Sequence, residues 1–227
     1  HTVCIGAEPH SEEQRKRIEQ LLGVKAYNCF GMSEMNGPGV AFECTEQNGL
    51  HIWEDNVIVE IVDPVTLQPV PEGEVGELVL TTINREAMPL LRYRTRDLTC
   101  ILPGDCPCGR THKRLARFKG RSDDMIILKG VNLFPIQIEK ILMQFKELGS
   151  NYLITLETIG NSDEMLIEVE LSDLFTDDYS ALQRLTKGIT RQLKDELLLT
   201  PRIKLVAKGS LPTTDGKAVR VKDHRKL

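Results

Sequence analysis

The chain has 227 residues, 41% hydrophobic and 27% charged, which excludes a disordered or low-complexity polymer and suits one large or two small globular domains. Its net charge of −4 argues against a nucleic-acid partner. No apolar run approaches the ~20 residues needed to cross a bilayer, and no basic-then-apolar leader opens the sequence, so the expected setting is cytoplasmic and reducing, with no membrane partner.

The first stretch, "VCIGAEPHSEEQRKRIEQLLG", reads as strand, loop and helix. Ser11 stands at N-cap spacing from Gln14. Ile18, Leu21 and Leu22 make a helical stripe, and Gly23 supplies the stop. The chain enters this strand at once from His1, as a segment of a longer protein would. "VKAYNCFG" is a second strand, so residues 1–42 behave as an α/β piece.

From about 43 to 120 the pattern becomes all-β. "LHIWEDNVIVEIVD", "GEVGELVLTT" and "LLRYRTRDLTCIL" are strands separated by turn chemistry such as Asp63-Pro64 and Glu72-Gly73. A small antiparallel sheet or distorted barrel is expected. Beyond Gly120, Ile138, Ile141, Leu142 and Phe145 mark a helix face, and Ile167, Val169 and Leu171 alternate with acids along a strand. Leu182, Leu185, Ile189 and Leu193 mark a second helix, and "RIKLVAKG" is a last strand. Residues 122–227 therefore read as a compact α+β domain with its own core. The junction falls at "GRSDD", where paired carboxylates stay solvated.

Four segments carry chemistry. In "YNCFGMSE" a strand ends in Phe30-Gly31, and Gly31 lets backbone approach a ligand closely. There the Ser33 hydroxyl can meet a phosphate, and the Glu34 carboxylate suits Mg²⁺. In "YRTRD", Asp97 at a strand end can accept hydrogen bonds from ribose hydroxyls. The third segment is "GRSDDMIILKG". In the fourth, "LPTTDGKAVR", Lys217 can meet a developing negative charge. Each has a plainer reading: a capped turn, a cross-strand charge ladder, a polar turn, an exposed cation.

Taken in order, these segments resemble the adenylate-forming (acyl-CoA synthetase) superfamily, and within it the phenylacetate–CoA ligases. "GPGVAFEC", "WEDNVIVEIVDP", "EAMPLLRYRTRDLT", "CPCGRTH" and "GRSDDMIILKGVNLFPIQIE" all look like that family's wording. The resemblance covers essentially the whole chain. It implies an α+β, multidomain architecture: residues 1–121 end an α/β adenylation domain that carries the small antiparallel β-barrel, and 122–227 form a mobile C-terminal lid.

The resemblance also implies roles. An aryl acid such as phenylacetate is activated with ATP to an acyl-adenylate and passed to coenzyme A, with release of AMP and pyrophosphate. Gly6, Ala7, Glu8 and Pro9 would line the adenine, with Asn28, Phe30 and Gly31 completing the wall. Ser33 would meet phosphate and Glu34 the Mg²⁺. Asp97 would hold the ribose, with Arg121 beside it. Asp123 matches the hinge, Gly130 the pantetheine tunnel and Lys217 the lysine that contacts the reacting carboxylate. "GPGVAF" would border the acyl pocket. The sequence departs from the family with Asp215 before Gly216-Lys217 and with Ser33 in place of Thr. The family's Gly/Ser/Thr-rich phosphate loop is absent from these residues, so the 227-residue polypeptide alone is expected to be inactive.

Six cysteines stand at 4, 29, 44, 100, 106 and 108. Cys106 and Cys108 lie beside His112 in "CPCGRTH", and Cys44 faces His51 across an Asn-Gly turn. A structural zinc held by Cys44, His51, Cys106 and Cys108, with His112 as the alternative ligand, is one reading, and unpaired thiols in a turn is the other. Two further alternatives stay open for the whole chain: a nucleotide- or CoA-binding regulatory module without catalysis, and an adenylating enzyme for another carboxylic acid. A homodimer is among the expected assemblies.

Overall fold

The computed structural model describes residues 1–35, 37, 39–173, 178–213 and 218–225. It resolves into two compact units, one of residues 1–9 and 17–124, the other of residues 10–16 and 125–227.

The first unit opens with β1 (Thr2–Ile5); α1 (Glu12–Leu22) begins among residues 10–16 of the second unit and ends in the first, and Ser11 caps its first turn: the Gln14 backbone N–H donates to Ser11 Oγ at 3.2 Å. Next comes β2 (Lys25–Phe30), parallel to β1 with Ile5 opposite Asn28. A single 3₁₀ turn, Ser33–Met35, separates it from β3 (Ala41–Glu43) and β4 (Leu50–Ile52). The remaining strands are β5 (Val57–Val62), β6 (Gly76–Thr82), β7 (Tyr93–Thr99), β8 (Ile101–Leu102), β9 (Arg114–Leu115) and β10 (Gly120–Arg121).

The expected barrel does not form. Among the described residues, the strands of the 43–120 region divide between two open sheets, with orders β1-β2-β3-β4-β9-β8 and β10-β7-β6-β5. Closure would require the first and last strands of one sheet to hydrogen-bond. Here β5 and β10 remain edges, and β10 is only two residues long. Meanwhile β4 pairs with β9, Leu50 opposite Leu115, which draws the β3–β4 hairpin into the sheet of β1 and β2. The core between the two sheets contains Leu50, Ile52, Ile61, Leu78, Leu80 and Leu115.

In the second unit a hairpin of β11 (Ile126–Leu128) and β12 (Val131–Leu133) precedes α2 (Pro135–Leu142). Then come β13 (Leu148–Ile159), β14 (Ser162–Leu171), α3 (Tyr179–Leu197), β15 (Arg202–Val206) and β16 (Val221–Asp223). The mixed sheet has the order β15-β14-β13-β16. Cross-strand pairs Tyr152–Val169, Ile154–Ile167 and Leu156–Met165 share one face, as the period of two dictates, and bury with Ile138, Ile141, Leu142, Ile189 and Leu193 of the helices. Pro135 starts α2, where its missing N–H costs nothing. Asp178 caps α3 by accepting from Ser180 N–H at 2.9 Å.

Candidate nucleotide and metal sites

Two loops leave the same end of parallel strands β1 and β2, the position where open α/β sheets bind ligands. The first is Gly6–Pro9, with Gly6, Ala7 and Pro9 exposed and Ala7 in the left-handed region at φ +69°. Gly6 has no room for a side chain: a Cβ there would stand 2.5 Å from Cys29 Sγ and 2.7 Å from the Cys29 carbonyl oxygen. The second loop opens at Gly31, just past Asn28 and Phe30 at the end of β2. Asn28 is buried, and its N–H donates to Glu43 Oε2 at 2.7 Å. Phe30 lies against Phe118 with ring centroids 4.5 Å apart. Ser33 and Glu34 follow, exposed on the 3₁₀ turn, and Arg85 donates to the Glu34 carbonyl.

Asp97 lies on β7 directly opposite Arg121 of β10. Asp97 lies within a register shift between β6 and β7, with Arg96 at φ +70°. Thr95 organises that irregularity. Its hydroxyl donates to the Leu78 carbonyl at 3.0 Å and accepts from Asp97 N–H at 3.1 Å. Beneath it Glu77 is fully buried and receives Arg94 through two parallel bonds, Nε at 2.8 Å and Nη2 at 2.6 Å. Burial alone would raise the Glu77 pKa, but Arg94 and Arg96 together outweigh it and hold the carboxyl below its ordinary value. Arg121 in turn grips Asp123 through Nε and Nη2, both at 2.9 Å, and Ser122 N–H donates to the Arg96 carbonyl at 2.7 Å. Both carboxylates of "GRSDD" are thus arginine partners, with Asp124 3.8 Å from Arg121.

Cys44, His51, Cys106 and Cys108 converge, with their ligand atoms all within 4.8 Å of one another. Cys44 Sγ and Cys106 Sγ are 3.7 Å apart, and Cys108 Sγ lies 3.4 Å from His51 Nε2. Two sulfurs bound to one zinc at about 2.3 Å stand about 3.8 Å apart at the tetrahedral angle, so the spacing fits. It is far too long for a disulfide of about 2.05 Å, and all six cysteines are free. His51 Nδ1 faces the His112 carbonyl at 3.3 Å, which leaves Nε2 toward the sulfurs. Burial lowers the His51 pKa and keeps the ring neutral. His112 thus supports a ligand with its backbone.

Two family models match this chain. The AMP-binding enzyme model covers residues 1–84, and the AMP-binding enzyme C-terminal domain model covers residues 130–225. The chain belongs to the AMP-binding enzymes. It is 43% identical over 239 aligned positions to a phenylacetate-coenzyme A ligase of Thermus thermophilus, with 99% of this chain and 54% of that protein aligned. It is 41% identical over 225 positions to the phenylacetate-coenzyme A ligase of Escherichia coli, 98% of this chain against 51% of that one. A crystal structure of 2-hydroxyisobutyryl-CoA ligase in the postadenylation state, complexed with R3-HIB-AMP, superposes with a TM-score of 0.88 at 30% identity, covering 97% of this chain and 48% of that one. The chain spans about half the length of the curated relatives it matches.

Within this AMP-binding enzyme segment, the first unit brings Gly6–Pro9 beside Asn28, Phe30 and Gly31, and Asp97 beside Arg121 and Asp123. Gly130 lies in the second unit, at the β11–β12 turn with φ +81°, and Lys217 lies outside the described residues. Sequence reading missed the Glu77–Arg94 pair. Its signal was present: a carboxylate inside the apolar run "GELVL" is a buried charge that needs a partner.

Proposed function

We propose that this chain is the nucleotide-holding and lid-bearing part of an AMP-forming acid–CoA ligase that acts on an aryl acid, phenylacetate. The observation that carries the reading is Asp97. Its carboxylate is mounted on a bulged strand and flanked by Arg121, and the segment leading to Arg121 carries Phe118, the ring partner of Phe30. The curated relatives named above act on phenylacetate and coenzyme A.

In this reading Asp97 accepts the ribose hydroxyls, and Arg121 supports the same sugar. Gly6–Pro9, Asn28, Phe30 and Gly31 wall the adenine. Ser33 donates to phosphate, and Glu34 holds Mg²⁺ through oxygen, the ligand type that ion prefers. Mg²⁺ would supply charge neutralisation at the phosphates. Lys217 meets the reacting carboxylate during adenylation, and Gly130 lines the thiol's approach during thioester formation. Asp123 is the pivot between the two poses of a lid formed by residues 122–227. The 227 residues hold no Gly/Ser/Thr-rich phosphate loop and need the remainder of a full-length ligase for turnover.

Cys44, His51, Cys106 and Cys108 hold a structural zinc in this reading, since four protein ligands leave no open position for chemistry. Six cysteines without a disulfide among them favour a reducing, cytoplasmic location. Among the described residues no helix is long and apolar enough to cross a membrane. Leu21 and Leu22, strongly exposed on α1, are surface that a homodimer would cover.

The test is product analysis with the full-length protein, phenylacetate, ATP and coenzyme A. The reading expects phenylacetyl-CoA and AMP in equal amounts. ADP as the nucleotide product, or no thioester, would overturn it.

A further inference from the structure

The four metal-ligating side chains are joined by short strands to the loops assigned to the nucleotide. Cys44 follows directly on β3, and β3 pairs with the end of β2, Cys29 opposite Phe42 and Phe30 opposite Ala41. The Val40 N–H also donates to the Phe30 carbonyl at 2.9 Å. On the other side, Cys106 and Cys108 lie in the 103–113 loop that enters β9. That strand is registered on β4 with Arg114 opposite the ligand His51. Three residues past β9, Phe118 reaches the ring of Phe30. The Lys119 N–H then donates to the Leu98 carbonyl at 2.9 Å, and Arg121 stands opposite Asp97.

Apart from the cluster, the 103–113 loop is fixed by polar contacts: at its exit the Ile52 N–H donates to the Lys113 carbonyl at 2.9 Å and Lys113 Nζ donates to Glu72 Oε1 at 2.8 Å. Gly109 N–H closes a turn onto the Cys106 carbonyl at 3.0 Å. Buried Arg114 donates to the Gly104 and Asp105 carbonyls at 3.1 and 3.3 Å and to the Asn48 carbonyl at 3.0 Å. Apart from the Glu72 and Glu54 carboxylates that meet Lys113, these acceptors are backbone oxygens, and Leu102 at the loop's entry is only half-buried. A polar loop without an apolar anchor gains little order from packing. A metal clip that joins residues far apart in sequence, here Cys44 and Cys106, removes the most chain entropy.

We propose that metal at the Cys44, His51, Cys106 and Cys108 site is coupled to nucleotide binding: the ion locks β3 and β9, and those two strands hold Phe30 and Arg121 in place for the nucleotide. The proposal rests on the zinc and nucleotide readings above and adds a linkage between them. The metal makes no contact with the nucleotide. It acts on the population of the ordered loop, and if that population falls to a tenth, the apparent Kd for AMP rises about tenfold.

The experiment uses the full-length protein, purified without chelator, stripped with a zinc chelator, and restored with zinc. Metal content is measured by mass spectrometry, AMP affinity by calorimetry, and local order by amide hydrogen exchange. The expected result is one zinc per chain. On stripping, AMP affinity weakens about tenfold, and exchange rises at residues 28–31, 41–52 and 114–121 while β5 and β6 keep their protection. Zinc restores both. A Cys106→Ser variant behaves as the stripped protein does. Zinc that binds and leaves with AMP affinity unchanged overturns the coupling and leaves the zinc reading standing. Loss of protection across β5 and β6 as well overturns it too, because the metal would then hold the whole unit. No zinc in the purified protein overturns the metal reading and the coupling with it. Zinc-loaded protein that does not bind AMP overturns the nucleotide reading.

Discussion

Asp97 owes its position to neighbours on three strands. Thr95 fixes its backbone, Glu77 and Arg94 brace the bulge beneath, and Arg121 faces it. If Asp97 accepts the ribose hydroxyls as proposed, replacing it by Ala removes charge-assisted bonds worth about 1.5–3 kcal/mol each, so AMP affinity measured by calorimetry should fall by roughly 10–100-fold with little change in melting temperature. Glu77→Gln acts differently. It leaves Arg94 without its anion, and because Arg94 is about a third exposed and can turn to water, the expected loss is on the order of 1–3 kcal/mol in urea unfolding. The folded-state pKa of Glu77 lies below its ordinary 4.5. Its contribution is therefore present above 4.5 and lost as pH falls through the folded value. Melting curves of the native protein and Glu77→Gln should accordingly differ at pH 7 and converge in acid. The convergence of Cys44, His51, Cys106 and Cys108 could be anticipated from sequence because Cys106 and Cys108, and Cys44 and His51, sit in local patterns. The Glu77–Arg94 pair joins two strands, and no local spacing reports it.

At the scale of elements, strand positions followed from alternation, while their partners did not. The apolar runs of the 43–120 region are all strands, yet they divide between two open sheets. Alternation tells which face is buried and is silent on which strand lies beside which. The deciding contact, β4 on β9, joins residues far apart in sequence and is only two residue pairs long. Helices were more legible, because the stripe of Ile138, Ile141 and Leu142 and the Ser11 cap are local features. Gly6 marks where β1 must give way to its loop against Cys29. Gly6→Ala would force a Cβ into the Cys29 carbonyl, so we expect a loss of about 1–3 kcal/mol in chemical unfolding, together with weaker AMP binding.

Over the whole molecule, the chain passes from the first compact unit to the second between Asp124 and Met125, immediately after the Arg121–Asp123 pair. If Asp123 is the pivot of a lid, fixing its φ should separate the two half-reactions. Asp123→Pro in the full-length protein should keep one of adenylate formation and thioester formation within a few-fold and reduce the other strongly, because proline permits only one narrow φ range. Equal loss of both would argue for a fixed junction. The measurement that bears most directly on the account is acid-dependent exchange of labelled pyrophosphate into ATP, with the full-length protein and no coenzyme A. The account predicts exchange that requires phenylacetate, is lost in Asp97→Ala, and is absent from the 227-residue polypeptide alone. No exchange in the full-length protein, or exchange indifferent to the acid, would contradict the claim that this chain belongs to an enzyme that activates carboxylates as adenylates.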